Sequence, residues 1–287
     1  MPIAISGDAM TTMVEERERT SSVSLLVNSA LASTVGIVIA VLADSLGRLA
    51  VGWFLDREPI IYHDRVVFTA GDNPLALAGG ALAALIVGAG FLAIYPASRR
   101  HDASRLAVLW LILHCFRQGF VPLALAGVDN QSDVALALGH FNLPAGINMV
   151  VGVAGAIGLL LVSLAAAPAF LAFATSRSEI STPSRRVGFV ARIGLVGGVA
   201  GALLAVLFFV PDSGTGLVSA LPLYGLFTVA TLLAAPGSKA VEADSNSTAR
   251  RFSWGLAAAV VVLFVIFRFA LARGIPIPPD PETFFVS

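Results

Sequence analysis

The chain has 287 residues, of which 57% are hydrophobic and only 13% are charged. A mean hydropathy of +0.86 is far above that of soluble globular proteins, so the composition indicates a membrane protein. The formal net charge of +0 excludes the extended basic surface that nucleic-acid binding requires. Cys115 is the only cysteine, which excludes an intrachain disulfide and a cysteine zinc cluster.

Apolar stretches of about 20 residues recur along the whole chain, and a helix of that length crosses the hydrocarbon layer of a bilayer. We therefore predict an all-α, polytopic transmembrane helix bundle of about seven spans, with six as the alternative. The stretches lie at about 23–43, 75–95, 106–127, 147–174, 188–210, 216–235 and 254–272. The predicted organisation is an N-terminal tail at 1–22, a transmembrane domain at 23–272 and a proline-rich tail at 273–287. Because the start lacks a basic region and a short apolar core, we predict that the first span is an uncleaved anchor.

The segment between the first two spans has its own pattern. Residues 44–54 continue span one as an amphipathic stretch ending in Trp53 and Phe54, which suit a membrane interface. Residues 59–69 contain two β-prone runs separated by a polar turn, and this pattern predicts a short β-hairpin. The tail at 275–279 is predicted to be extended, because its prolines cannot continue a helix.

The basic residues predict the orientation of the spans. They concentrate in the gaps that hold Arg99, Arg100 and Arg105, then Arg177, Arg185 and Arg186, then Lys239, Arg250 and Arg251. The alternate gaps, 128–146 and 211–215, contain no Lys or Arg. By the positive-inside rule the N-terminus is cytoplasmic, whereas segment 44–74 and the C-terminus are external. Three arginines in that external segment break the pattern: Arg48, Arg57 and Arg65. The nearly exclusive use of arginine over lysine favours a bacterial protein, hence the bacterial cytoplasmic (inner) membrane.

Small residues crowd the spans, for example at 79–80, 88–90, 152–158 and 194–201. Such residues let helix backbones approach closely. We expect these faces to pack against other helices of the same chain, in preference to forming a dimer.

A polar patch interrupts the third span near its middle. His114, Arg117 and Gln118 are three and four residues apart and therefore share a helix face. An arginine at this depth needs an interior partner, for which Asp44 and Asp72 are the candidates. The functional hypothesis is a binding site for a ligand, a proton or a metal. The alternative, which we favour, is a structural clamp between helices, in a helix kinked at Gly119 and Pro122.

Two further groups of charged residues are candidates for a site. Asp44 and Arg48 lie four residues apart, a spacing typical of a helical ion pair, and we add both to the candidate binding residues. Asp129, Asp133 and His140 follow span three and could ligate a metal, although a solvated turn and helix cap account better for them. No sequence pattern calls for a cofactor.

The order of these parts across about residues 30–165 resembles the polytopic zinc metalloproteases of the site-2 type. The parallel pieces are Asp44 to Arg48, the hairpin at 59–69, the small residues at 77–80, the basic turn at 99–100, the apolar run at 109–111 and the segment 129–144. In that family the first span ends in H-E-x-x-H, and an aspartate of the later segment supplies the third zinc ligand.

The zinc motif of that family is not present here. Where the family has two histidines and a glutamate, this chain has Asp44, Arg48 and Ser45. The resemblance therefore implies a relative without zinc or proteolysis, which binds lipid or other membrane proteins as a scaffold. One alternative is a transporter or permease subunit that uses the patch in span three. The other is a membrane hydrolase with a non-standard metal site.

Overall fold

The structure is a computed structural model that describes residues 7–63, 65–95, 102–209, 228–238 and 247–277, with side chains from residue 21 onward except at 145. Its helices are α1 (Gly7–Phe54), α2 (Pro74–Ile94), α3 (Ala103–Ala126), α4 (Asp133–His140), α5 (Ala145–Leu171), α6 (Pro183–Val190), α7 (Gly197–Phe209) and α8 (Trp254–Val265). Residues 228–234 are also helical. A π-helical segment, Ala191–Val196, joins α6 to α7. A second one, Ile266–Ala270, extends α8 into a 3-10 turn.

Six helices in the described part of the chain are long and apolar enough to cross a membrane, which confirms the predicted all-α polytopic bundle. They are Ser21–Phe54, Pro74–Ile94, Ala103–Ala126, Gly146–Leu171, Pro183–Phe209 and Trp254–Arg273. The sixth predicted span, 216–235, lies largely outside the described residues. The helix that carries the first span, α1, begins at Gly7 and so includes part of the N-terminal tail predicted at 1–22.

The helices α1 and α3 form the centre of the bundle. About two thirds of the apolar part of each is buried, 67% in α1 and 61% in α3, compared with 17% in α8. The helices α2, α5 and α6–α7 surround this pair, so much of their apolar surface faces outward, as in Leu82, Val150 and Leu203. Such surfaces are expected of helices whose solvent is lipid.

A small sheet covers one end of the bundle and confirms the predicted hairpin. Strands β1 (Pro59–Ile61) and β2 (Val66–Phe68) pair antiparallel, with Ile60 opposite Val67. A third strand, β3 (Ile275–Pro276), pairs antiparallel with the other edge of β1. Within the described residues 275–277 the tail is extended, as predicted, but its place in a sheet was not foreseen. Gly274 makes the turn into β3 with φ of +74°, a backbone conformation that residues other than glycine rarely adopt.

The ends of the bundle differ in charge, and we call them the hairpin end and the arginine end. At the hairpin end, Phe68 of the sheet touches Gly52 near the end of α1. At the arginine end, Asn28 near the start of the first span donates hydrogen bonds of 2.7 Å to the carbonyls of Ala249 and Arg251. Arg250 there forms an ion pair with Glu179. The arginine gaps that follow α5 and precede α8 therefore meet at one end, as the predicted orientation requires.

Small residues mediate the helix contacts, as predicted. The Cα atoms of Gly127 and Gly152 face each other where α3 meets α5, so closely that a Cβ on Gly152 would lie 2.5 Å from the Gly127 Cα. A Cβ on Gly201 of α7 would lie 2.5 Å from the Cβ of Ser33 on α1. These backbones approach as closely as they do because no side chain intervenes.

Candidate functional site

The candidate site begins with an ion pair on α1. The Nε of Arg48 lies 2.9 Å from an Oδ atom of Asp44, one helical turn away. This confirms the predicted pair, and it follows directly from the i, i+4 spacing on a helix. Asp44 is only 7% exposed, so its charge depends on this partner.

A second carboxylate completes the site from another helix. Asp133 belongs to the first turn of α4, and its Oδ2 atom lies 3.0 Å from a terminal nitrogen of the Arg48 guanidinium. The side chain of Ser132 caps α4 by accepting from the backbone N–H of Ala135, which fixes the first turn of the helix. We call Asp44, Arg48 and Asp133 the ionic cluster. It joins α1 to α4 through one guanidinium held between two carboxylates.

The neighbouring helices close the ionic cluster on its inner side. Gly80 of α2 lies against Asp44, and a Cβ at Gly80 would be 2.3 Å from the carboxylate oxygen. The Gln118 side chain of α3 faces the same carboxylate. Arg117 is also buried, and it donates a hydrogen bond of 3.4 Å to the side-chain oxygen of Gln118. The polar patch of span three thus adjoins the ionic cluster through Gln118.

His114 belongs to a different group of side chains, nearer the arginine end. Its Nε2 lies 3.0 Å from the Ser33 hydroxyl of α1, and its ring stacks on Trp110 at 5.3 Å between centroids. The Trp110 indole donates a hydrogen bond of 2.9 Å to Ser29, which in turn donates to the carbonyl of Ile193. The π-helical segment supplies that carbonyl. We call Ser29, Ser33, Trp110 and His114 the serine–histidine group.

The structure therefore divides the predicted site residues into three sets. Gln118 faces Asp44 and accepts a hydrogen bond from Arg117, whereas His114 is directed toward Ser33. A third set lies at the surface. Asp129 is exposed and accepts from the backbone N–H of Gln131, and His140 is exposed at the end of α4. The predicted turn and cap thus describe Asp129, but Asp133 has a further role as a partner of Arg48. Asp72, the second acidic residue predicted as a candidate partner of Arg117, is exposed.

Sequence reasoning missed the α1 members of the serine–histidine group. Ser29 and Ser33 are four residues apart, and Asn28 is adjacent to the first of them. All three are fully buried. The signal that could have identified them is the repetition of small polar residues at helical spacing within an apolar span.

The residues of the ionic cluster do not fit the zinc of the site-2 type proteases. Two carboxylates remain where that family has three ligands, and the Arg48 guanidinium lies between them. A cation placed there repels a metal ion, and neither histidine nor cysteine joins the cluster. In the parts of the chain that the structure describes, no three His, Cys, Asp or Glu side chains come together as a metal site. The predicted alternative of Asp129, Asp133 and His140 is likewise not assembled.

Comparison with known proteins gives no relative for this chain: no family model, curated protein or solved structure matches it.

Proposed function

We propose that this chain is a non-catalytic integral membrane protein with a protease-like core, which acts as a scaffold by binding another membrane segment or lipid. The observation that carries the proposal is the ionic cluster, with Arg48 bound to Asp44 at 2.9 Å and to Asp133 at 3.0 Å. In the site-2 type arrangement the corresponding positions hold a metal and a water-activating base. Here a fixed side-chain cation balances the carboxylates, and Ser45 stands where the base would be.

The accessibility of the cluster favours binding over a purely internal clamp. The side chain of Asp133 is 35% exposed and that of Arg48 is 23% exposed, whereas Asp44 is 9% exposed. The outer part of the cluster therefore reaches the surface between α1 and α4. A polar group on an incoming helix can pair there more favourably than in hydrocarbon.

The proposed location is the cytoplasmic membrane of a bacterium, with the N-terminus inside and the sheet outside. The six apolar helices support a multi-pass protein. Arg186 donates hydrogen bonds to the carbonyls of Pro236 and Ser238, which supports the grouping of these basic gaps on one side of the membrane. The positive-inside rule then makes that side cytoplasmic.

A transport role is less well supported. The ionic cluster and the serine–histidine group would have to form one polar path along α1 and α3. The two groups instead hold separate partners, Asp133 for Arg48 of the ionic cluster and Ser33 for His114.

Metal analysis and a cleavage assay on the full-length protein test the proposal. The protein is purified in detergent without chelator and mixed with a single-span peptide that carries one asparagine near the outer membrane boundary, at the depth of Arg48 and Asp133. We expect far less than one zinc per chain, and retention of the intact peptide. Arg48→Ala should weaken retention, whereas Arg57→Ala should not, because Arg57 contacts only the hairpin loop carbonyl of Ala70 among its described partners.

Two results would overturn the proposal. One is stoichiometric zinc together with chelator-sensitive cleavage of the peptide, which would make the chain an enzyme. The other is equal retention of the peptide by Arg48→Ala and the unsubstituted protein, which would show that the ionic cluster does not bind membrane segments.

A further inference from the structure

The outer face of α6 and α7 changes from basic to apolar along its length. Arg185, Gly188 and Arg192 are exposed at successive turns near the arginine end. Val196, Val199 and Leu203 follow on the same exposed side at 49%, 52% and 68% exposure. The exposure of all six, at spacings of three to four residues, places them on the outer side of the helix. We call this side the outer face of α6–α7.

The length of this helix places the arginines at the membrane boundary. The segment Pro183–Phe209 has 27 residues. That is about 40 Å at 1.5 Å per residue, against a hydrocarbon layer of about 30 Å. Counting about 20 residues back from Phe209 puts the boundary near residue 190. Arg192 then lies at this boundary, and Arg185 lies about 10 Å further out, in the headgroup layer.

The positive charge of the outer face is not balanced by the described side chains around it. Arg185 donates to the Ser178 carbonyl at 2.6 Å, which positions it but does not neutralise it. Glu179, the acidic residue of that loop, is bound by Arg250. Arg192 has no acidic partner among the residues that the structure describes. An exposed guanidinium at the hydrocarbon boundary is stabilised when an anion shares its position.

Gly188 leaves room for such an anion between the two arginines. No atom lies within 4 Å of the position that a Cβ would take at Gly188. The surface is therefore open between Arg185 and Arg192, which are two helical turns apart on the same side. Arginine is the side chain best suited to a phosphate, because its planar fork of N–H groups binds two oxygens at once.

We propose that the outer face of α6–α7 binds an anionic phospholipid. The phosphate lies over Gly188 between Arg185 and Arg192, and an acyl chain follows Val196, Val199 and Leu203. The site is distinct from the ionic cluster and does not depend on the function proposed for it. Net positive charge favours an anionic headgroup such as phosphatidylglycerol over zwitterionic phosphatidylcholine.

Native mass spectrometry of the full-length protein in detergent tests this site. Phosphatidylglycerol or phosphatidylcholine is added, and the lipid retained per chain is counted. We expect retention of phosphatidylglycerol in preference, and a loss of about fivefold in its affinity in Arg192→Gln. Arg192→Lys should restore part of the binding. Arg251→Gln, an exposed arginine at the same end but on the approach to α8, is the matched control and should bind as the unsubstituted protein does.

A competition experiment and a stability measurement distinguish the lipid site from a free-phosphate site and from a loss of fold. Excess inorganic phosphate should not displace the lipid, because Val196, Val199 and Leu203 contribute to its binding; displacement would mean a free-phosphate site and would overturn the proposal. Equal retention of both lipids, or unchanged binding in Arg192→Gln, would also overturn it. An unchanged thermal midpoint in Arg192→Gln would confirm that a loss of lipid is not a loss of fold.

Discussion

At the scale of single residues, the main finding is that Arg48 has two partners. Spacing along α1 was enough to predict its pair with Asp44, because both residues lie on one helix. Asp133 is 85 positions further along the chain, and no local pattern relates it to Arg48. Only the packing of α4 against the bundle brings them together. Local geometry thus made half of the ionic cluster predictable.

A double-mutant cycle measures how strongly Arg48 and Asp133 interact. Arg48→Met, Asp133→Asn and the double variant are compared by their free energy of unfolding in mixed micelles. We expect a coupling of about 1–2 kcal/mol, between the values for exposed and fully buried pairs, because both side chains are partly exposed. Additive effects would show that the 3.0 Å contact contributes no stability.

Asp102, the N-cap residue of α3, lies outside the membrane span and stabilises the first turn of the helix in a pH-dependent way. Partial burial raises the pKa of this carboxyl, but hydrogen bonds from the Ser104 hydroxyl and the Arg105 and Ser104 backbone outweigh burial, so the net pKa is below its ordinary value. Because the folded-state pKa is the lower one, the stabilisation is complete above about pH 4 and is lost as pH falls through the folded-state pKa.

Amide hydrogen exchange at Arg105 between pH 5 and pH 2 would measure this effect. Protection of that amide in the unsubstituted protein should fall at the acidic end, beyond the intrinsic pH dependence of exchange. Asp102→Asn caps a helix nearly as well but cannot titrate. Its protection should show no such transition, and a transition in both proteins would assign the effect to another group.

At the scale of helices, close packing explains which small residues matter. The stripe of small residues on α2 was predicted to face other helices. Gly80 does so against Asp44, but Gly90 on the same helix has no atom within 4 Å of a Cβ position. The sequence could not distinguish them, because both glycines lie in similarly apolar surroundings. The distinction depends on where α1 crosses α2.

Gly80→Ala and Gly90→Ala form a matched pair on α2. A Cβ at residue 80 would lie 2.3 Å from an Asp44 side-chain oxygen and 2.9 Å from the Asp44 backbone oxygen. We therefore expect Gly80→Ala to lower the free energy of unfolding by about 1–3 kcal/mol. Gly90→Ala should be neutral or slightly stabilising, because alanine is the better helix former. Thermal unfolding in detergent measures both, and equal effects would refute the contact.

The π-helical segments could not be predicted from periodicity. Within Ala191–Val196 the backbone departs from α-helical hydrogen bonding, and the Ile193 carbonyl accepts from Ser29 of α1. The apolar pattern alone supports an uninterrupted span across these residues. The partner on α1 is a tertiary contact, which the sequence pattern of this span does not reveal.

At the scale of the whole molecule, apolar length was a good guide to the spans. The second predicted span differs from α2 by one residue at each end. The sixth predicted span remains a prediction, but the chain on either side of it lies at opposite ends of the bundle. Phe209 packs in the apolar cluster beside the sheet, whereas Pro236 accepts a hydrogen bond from Arg186 at the arginine end.

Cysteine labelling tests the predicted orientation of the whole bundle. In a Cys115→Ser background, Val128→Cys places a thiol at an 83% exposed position after α3, and Ser178→Cys places one in the loop of the arginine end. A membrane-impermeant maleimide added to intact cells should label residue 128 and not residue 178. The reverse pattern would invert the proposed topology, and labelling of both without lysis would contradict a fixed one.

The third strand of the sheet has a consequence for biosynthesis. The partner of β1 at Ile60 is Pro276, 216 positions later in the chain. The hairpin leaves the ribosome early, but its open edge has no partner until α8 has been made and inserted. Completion of the sheet is therefore a late event of assembly, and a chain truncated before Gly274 would expose an unpaired strand edge outside the bilayer.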